Sequence, residues 1–113
     1  GRKENYDKSR SCLQKAISNN PNYGDAYILM AQLYAINHKW SNESALDRCA
    51  YFAVIDKLEQ AKRVDSSVAE RANELISQYK KQTPQPEDLF MFGYKAGDNI
   101  EIKGWINETT TIR

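Results

Sequence analysis

The chain repeats itself at a fixed interval, and that limits its fold more than any other feature. Leu13 returns as Leu58, Ala16 as Ala61, Met30 as Leu75 and Tyr34 as Tyr79, each forty-five positions on. Pro21 returns as Ser66 and Tyr27 as Ala72 in the same register. Self-similarity at a period of about 20–50 residues marks stacked supersecondary units, each burying its apolar face against a neighbour.

The units are helical. Tyr6, Ser9, Cys12, Leu13, Ala16 and Ile17 recur at steps of three or four, which predicts an amphipathic helix over about residues 4–19. Asn19-Asn20-Pro21-Asn22 stops it, because proline cannot continue a helix and restricts the residue before it. A second stripe runs through Ala26, Tyr27, Met30, Ala31, Leu33 and Tyr34, with Asp25 near its start. Residues 37–44 are polar and broken, and Ser41 or Ser44 is a suitable N-cap for the next helix. A longer third stripe comprises Leu46, Cys49, Ala50, Ala53, Val54, Leu58, Ala61 and Val64. Asp65-Ser66-Ser67 makes the next turn, and a fourth stripe runs Val68, Ala72, Leu75, Ile76, Tyr79, ending on Lys80 and Lys81.

Composition changes at Thr83-Pro84-Gln85-Pro86. Beyond this breaker, 86–92 reads as one or two helical turns, acidic at the start and stopped by Gly93. Ile100-Glu101-Ile102 and Thr109-Thr110-Thr111-Ile112 are β-prone, forming either a small hairpin or an extended tail. Leu89, Phe90, Met91, Phe92, Tyr94 and Trp105 are too apolar to stand in water. They are expected to cover the last repeat helix, since terminal repeats need a cap; the other outcome is insertion into a neighbouring subunit or partner.

Ala16-x4-Pro21 followed by Tyr27-x2-Met30-Ala31-x2-Tyr34 resembles the tetratricopeptide repeat. In that family an alanine and a proline close helix B, and an aromatic, a leucine, a small residue and a tyrosine follow in the next helix A. Leu58-x2-Ala61-x4-Ser66 and Leu75-x3-Tyr79 match a second time, so the resemblance spans residues 9–80. Ser66, Ala72 and Ile76 depart from the pattern. The tail from Pro84 lies outside it and is similar to C-terminal segments of bacterial tetratricopeptide proteins of unknown role. The interval exceeds the family's usual period of about 34 by roughly 11 residues, or about three helical turns. The broken stretch 37–44 and a third helix extended at its start absorb the excess. The register gives helix B of one unit, an enlarged complete unit, and helix A of a third, with the tail standing where its helix B would be. Because the chain opens Gly1-Arg2 without an initiator methionine, it is expected to be a piece of a longer protein.

The resemblance implies an all-α fold, a right-handed solenoid of about four helices over residues 1–82, capped by a tail over 83–113. It implies no enzymatic activity and no cofactor, and a protein or peptide partner held in a concave groove lined by A helices. Projected onto this chain, the groove is Asp25, Ile28, Gln32 and Ala35 from one helix and Glu70, Asn73, Ser77 and Lys80 from the next. Asp25 and Glu70 repel an anion, so a clamp for a terminal carboxylate is not expected. A homodimer built on exposed helix faces or on the aromatic tail is the alternative.

The remaining chemistry points the same way. Sixteen basic and fifteen acidic residues leave a formal charge of +1, which supplies no field for nucleic acid. No apolar run approaches the 18–20 or so residues of a membrane span. His38 lies in the polar stretch between helices and reads as a loop-surface residue, not as a base. Cys12 and Cys49 form no metal-ligand pattern. Measured from the matched Ala16 and Ala61, they sit eight residues apart along parallel helices. That is about 12 Å of axial offset, against the roughly 7 Å that a disulfide tolerates. Two free thiols are expected.

Overall fold

The computed structural model describes residues 2–113, with side chains from residue 5 onward. The helices are α1 (Arg2–Asn19), α2 (Gly24–Ile36), α3 (Ser44–Arg48), α4 (Ala50–Val64), α5 (Ala69–Lys80) and α6 (Pro86–Phe90), with a 3-10 turn at Ser66–Val68. Two short strands follow, β1 (Asn99–Ile102) and β2 (Glu108–Thr111).

Each boundary has a local cause. α1 closes where the Asn20 amide still reaches the Ala16 carbonyl (2.9 Å) and Pro21 prevents another turn. Asn37 ends α2 by donating its backbone and its side-chain amide to the Leu33 carbonyl. The long third stripe divides at Cys49. There the backbone stays right-handed, but i→i+3 bonds, Cys49 to Leu46 and Phe52 to Cys49 (both 3.0 Å), tighten the chain. Neither Ser41 nor Ser44 is the N-cap of α3, which is Glu43. Asp47 instead reaches back to accept from the amides of Trp40 and Ser41, and the Ser41 hydroxyl accepts from the Glu43 amide (3.1 Å). Asp65 begins the next turn, accepting from the amide and hydroxyl of Ser67 (3.1 and 2.6 Å) and from the Gly24 amide (3.3 Å).

The core is centred on α4, which packs on α2 along one side and on α5 along another. Cys49, Ala50, Val54, Leu58 and Ala61 are wholly buried. Gly24 lets the start of α2 touch the turn before α5: a Cβ there would lie 2.6 Å from Val68 Cγ2 and 2.7 Å from Asp65 Cβ. α1 packs on α2, and none of its described residues is fully buried.

The tail folds into a short helix and an antiparallel hairpin that pairs Asn99 with Thr111 and Ile102 with Glu108. Gly93, Gly97 and Gly104 adopt positive φ at its bends, where a side chain would strain the backbone. Ile100, Ile102, Ile106 and Ile112 join the helical core. The hairpin's helical partner is α4, which corrects the expectation that the tail covers the last repeat helix. Polar groups fix this choice. Thr110 donates to Asp56 (2.6 Å), Arg113 also pairs with Asp56, and Lys57 pairs with Glu108 (3.1 Å). Among the described residues, no such bond joins α5 to the strands.

Candidate functional site

α2 is apolar at every position from Ala26 to Ile36 except Gln32. A helix apolar on all sides needs neighbours on all sides. α4 and α1 supply two, and they bury Ala26, Ile28, Met30, Ala31 and Tyr34. What remains outward is a stripe at i, i+4, i+7 and i+11: Asp25, Leu29, Gln32 and Ile36. Leu29 is 47% exposed and Ile36 is 60% exposed. Beside the stripe runs a groove between α1 and α2, lined by Ser9, Cys12, Leu13, Leu29, Gln32, Leu33 and Ile36.

Of the expected groove residues on α2, Asp25 is exposed, while Gln32 and Ala35 are half-buried. Ile28 is fully buried and belongs to the core, so it offers no surface. The expected stripe was displaced by one residue at two positions, Ile28 for Leu29 and Ala35 for Ile36, a rotation of about 100° about the axis. The unbroken apolar run signals that some apolar side chains of α2 stay outward, but not which ones. On α5, Glu70, Asn73, Ser77 and Lys80 are all exposed and form a purely polar strip. The two strips are tied at their N-terminal ends by the Arg71–Asp25 ion pair (3.5 Å).

Behind α2, away from this stripe, polar groups lock the tail to the helices. Arg10 of α1 donates to the main-chain carbonyls of Trp105 and Ile106 (2.9 Å to the latter), and its guanidinium lies over the rings of Trp105 and Tyr34. Tyr34 donates to Glu108, which also pairs with Lys57. Burial, and then the bond to Glu108, push the Tyr34 phenol well above its ordinary range. These groups are consumed in holding structure.

His38 is not a free loop residue. Its Nδ1 lies 2.9 Å from the Ala35 carbonyl, and its ring packs on Tyr51 (5.0 Å between centroids), which stacks on Tyr79 (5.9 Å). Cys12 and Cys49 are unbridged, as the register predicted. Burial raises the Cys49 thiol to about 11, whereas Cys12 is exposed. Among the described residues, no group of three or more His, Cys, Asp or Glu side chains could hold a metal ion. No described helix is long and apolar enough to cross a membrane.

A helix closed by Ala16 and Pro21, followed by a helix carrying Tyr27, Met30, Ala31 and Tyr34 at their expected spacing, is the decisive arrangement. The family model for the tetratricopeptide repeat matches residues 12–44. This segment is thus similar to one tetratricopeptide repeat. Tetratricopeptide repeats characteristically mediate protein–protein contacts and are typically non-enzymatic. The matched repeat holds all of α2 and the second half of α1, and therefore the whole α2 stripe. No curated protein and no solved structure matches the chain.

Proposed function

We propose that the chain is a scaffold or adaptor module, part of a right-handed solenoid, that binds a peptide or protein segment along α2. The observation that carries this is the exposure of Leu29 and Ile36 on one stripe beside the α1–α2 groove. Large apolar side chains grouped on a surface mark interaction sites, whereas singly scattered ones do not. In this proposal Asp25 and Gln32 share the stripe, Ala35 borders it and Ile28 supports it from behind. Glu70, Asn73, Ser77 and Lys80 form a separate polar rim. Residues 1–82 are the binding unit, and residues 83–113 are the cap that holds α4 and α1 in place.

Selection of peptides from a display library against the immobilised full chain tests the assignment. Selected peptides are expected to lose binding to the Leu29→Asp/Ile36→Asp variant and to keep it for Glu74→Gln. Peptides that bind all three proteins equally would place the contact elsewhere. Phe90 and Met91 at the tip of α6 are 77% and 81% exposed, against the expectation that these apolar side chains cover a helix, and they favour a second reading in which copies associate through the tail. Light scattering decides it: a dimer abolished by Phe90→Ser supports self-association, and a monomer at all concentrations removes it.

A further inference from the structure

The two walls of the α1–α2 groove differ, and the difference specifies what fits between them. On α2 the wall is Leu29, Leu33 and Ile36; on α1 it is Ser9 and Cys12, with Leu13 at the floor. The internal register shows how unusual the α1 wall is. Ser9 and Cys12 correspond to Val54 and Lys57 of α4, where Val54 is wholly buried and Lys57 is paired with Glu108. α4 thus meets its neighbours with a large apolar group and a neutralised cation, whereas α1 presents small polar groups. Lys8 and Lys15 lie four residues before and three after Cys12, so helical spacing sets all three on one stripe, and both lysines are exposed. The groove itself is lined by apolar and small polar side chains, and α1 carries two exposed lysines alongside it.

We propose that this groove receives an amphipathic helix of a partner protein, with apolar anchors against Leu29 and Ile36 and a flank of Asp or Glu facing Lys8 and Lys15. The inference rests on the docking role given to α2 above. Leu29 and Ile36 are seven residues apart, about 10 Å along the axis. That spacing suits anchors at i, i+3, i+4 and i+7 of a helix lying in a groove. Charge selects the flank. Carboxylates opposite the lysines gain attraction, while a basic flank is repelled. A second copy fits poorly. The outer face of α5 offers a second copy no apolar anchors, since Glu70, Asn73, Ser77 and Lys80 line it.

Three synthetic helical peptides with one leucine stripe and a flank of Glu, Gln or Lys, titrated by fluorescence anisotropy against the full chain, test the proposal. Affinity is expected to fall in the order Glu, Gln, Lys, with about tenfold between the extremes for two exposed charge pairs. The spread should shrink in about 1 M salt, and the order should invert in the Lys8→Glu/Lys15→Glu variant. If all three peptides bind alike and Leu29→Asp/Ile36→Asp abolishes all three, the docking role stands and the acidic flank is overturned. If none binds, or binding survives that variant, the docking role fails and the inference fails with it. A dimer by sedimentation that shields Cys12 from alkylation would place a second copy in the groove and overturn the proposal.

Discussion

Leu13 and Leu58 stand at the same point of the repeat, as do Ala16 and Ala61, yet both pairs meet different surroundings. In α4, Leu58 and Ala61 are wholly buried, while in α1, Leu13 and Ala16 are only half covered. The sequence signature is shared; the number of neighbours is not. α4 is flanked by α2, α5 and the hairpin, whereas α1 has α2 and the Trp105 corner of the tail. A repeat pattern therefore states which face a helix can bury, and the surrounding elements decide how much of it is buried. The face that α1 leaves open is the one that borders Leu29 and Ile36.

Truncating the paired leucines should break this symmetry most visibly. Leu58→Ala is expected to lower stability by about 2–5 kcal/mol through lost burial and a residual cavity. Leu13→Ala should cost about 1 kcal/mol, because only part of that side chain leaves water. Urea unfolding of both variants measures the difference, and equal losses would mean that α1 is as well packed as α4. Next in size is Gly24→Ala. Its new Cβ would overlap Val68 and Asp65, at a cost of about 1–3 kcal/mol. A thermal melt identical to that of the parent would show that the seam between α2 and α5 can yield.

Arg10→Ala isolates the tie between α1 and the tail. Loss of its bonds to the Trp105 and Ile106 carbonyls should cost about 1–2 kcal/mol. Hydrogen exchange should then accelerate across α1 and stay slow in α4; uniform acceleration would indicate that the helices open as one unit. The smallest effect concerns acid. The bonds Asp65 accepts, first from the Ser67 hydroxyl and then from the Ser67 and Gly24 amides, hold its carboxyl below the ordinary value of 3.8. A carboxyl whose pKa is lower in the folded state adds stability above its unfolded pKa and loses it as pH falls through the folded one. Asp65→Asn should therefore flatten the stability loss at the acid end and leave its shape near neutrality unchanged.

Much of the fold was legible from local rules. The stop at Pro21, the polar break before Ser44 and the Asp65 turn all follow from residue chemistry over a few positions, while the β-prone runs on either side of Gly104 left hairpin and extended tail both open. What was not legible depended on contacts distant in sequence. The tail's choice of α4 over α5 rests on Thr110 and Arg113 reaching Asp56, more than fifty residues away. His38, polar by neighbourhood, is held by Tyr51 across the loop. On α2 a continuous apolar run carries no periodic contrast, so the pattern alone could not say whether Ile28 or Leu29 faces outward. The neighbouring helices settle that.

The two cysteines report on the same contrast without any substitution. Cys12 lies on the α1 wall of the open groove, and Cys49 lies in the sealed core with its thiol raised to about 11. The thiolate is the reactive form, so an exposed thiol should react and a buried, protonated one should not. Native alkylation followed by mass spectrometry is expected to give one label, at Cys12, with Cys49 modified only after denaturation. Addition of the acid-flanked helical peptide should slow the Cys12 reaction. Equal labelling of both thiols, or a bound peptide that leaves the Cys12 rate unchanged, would contradict an open groove on α1 beside a closed α4.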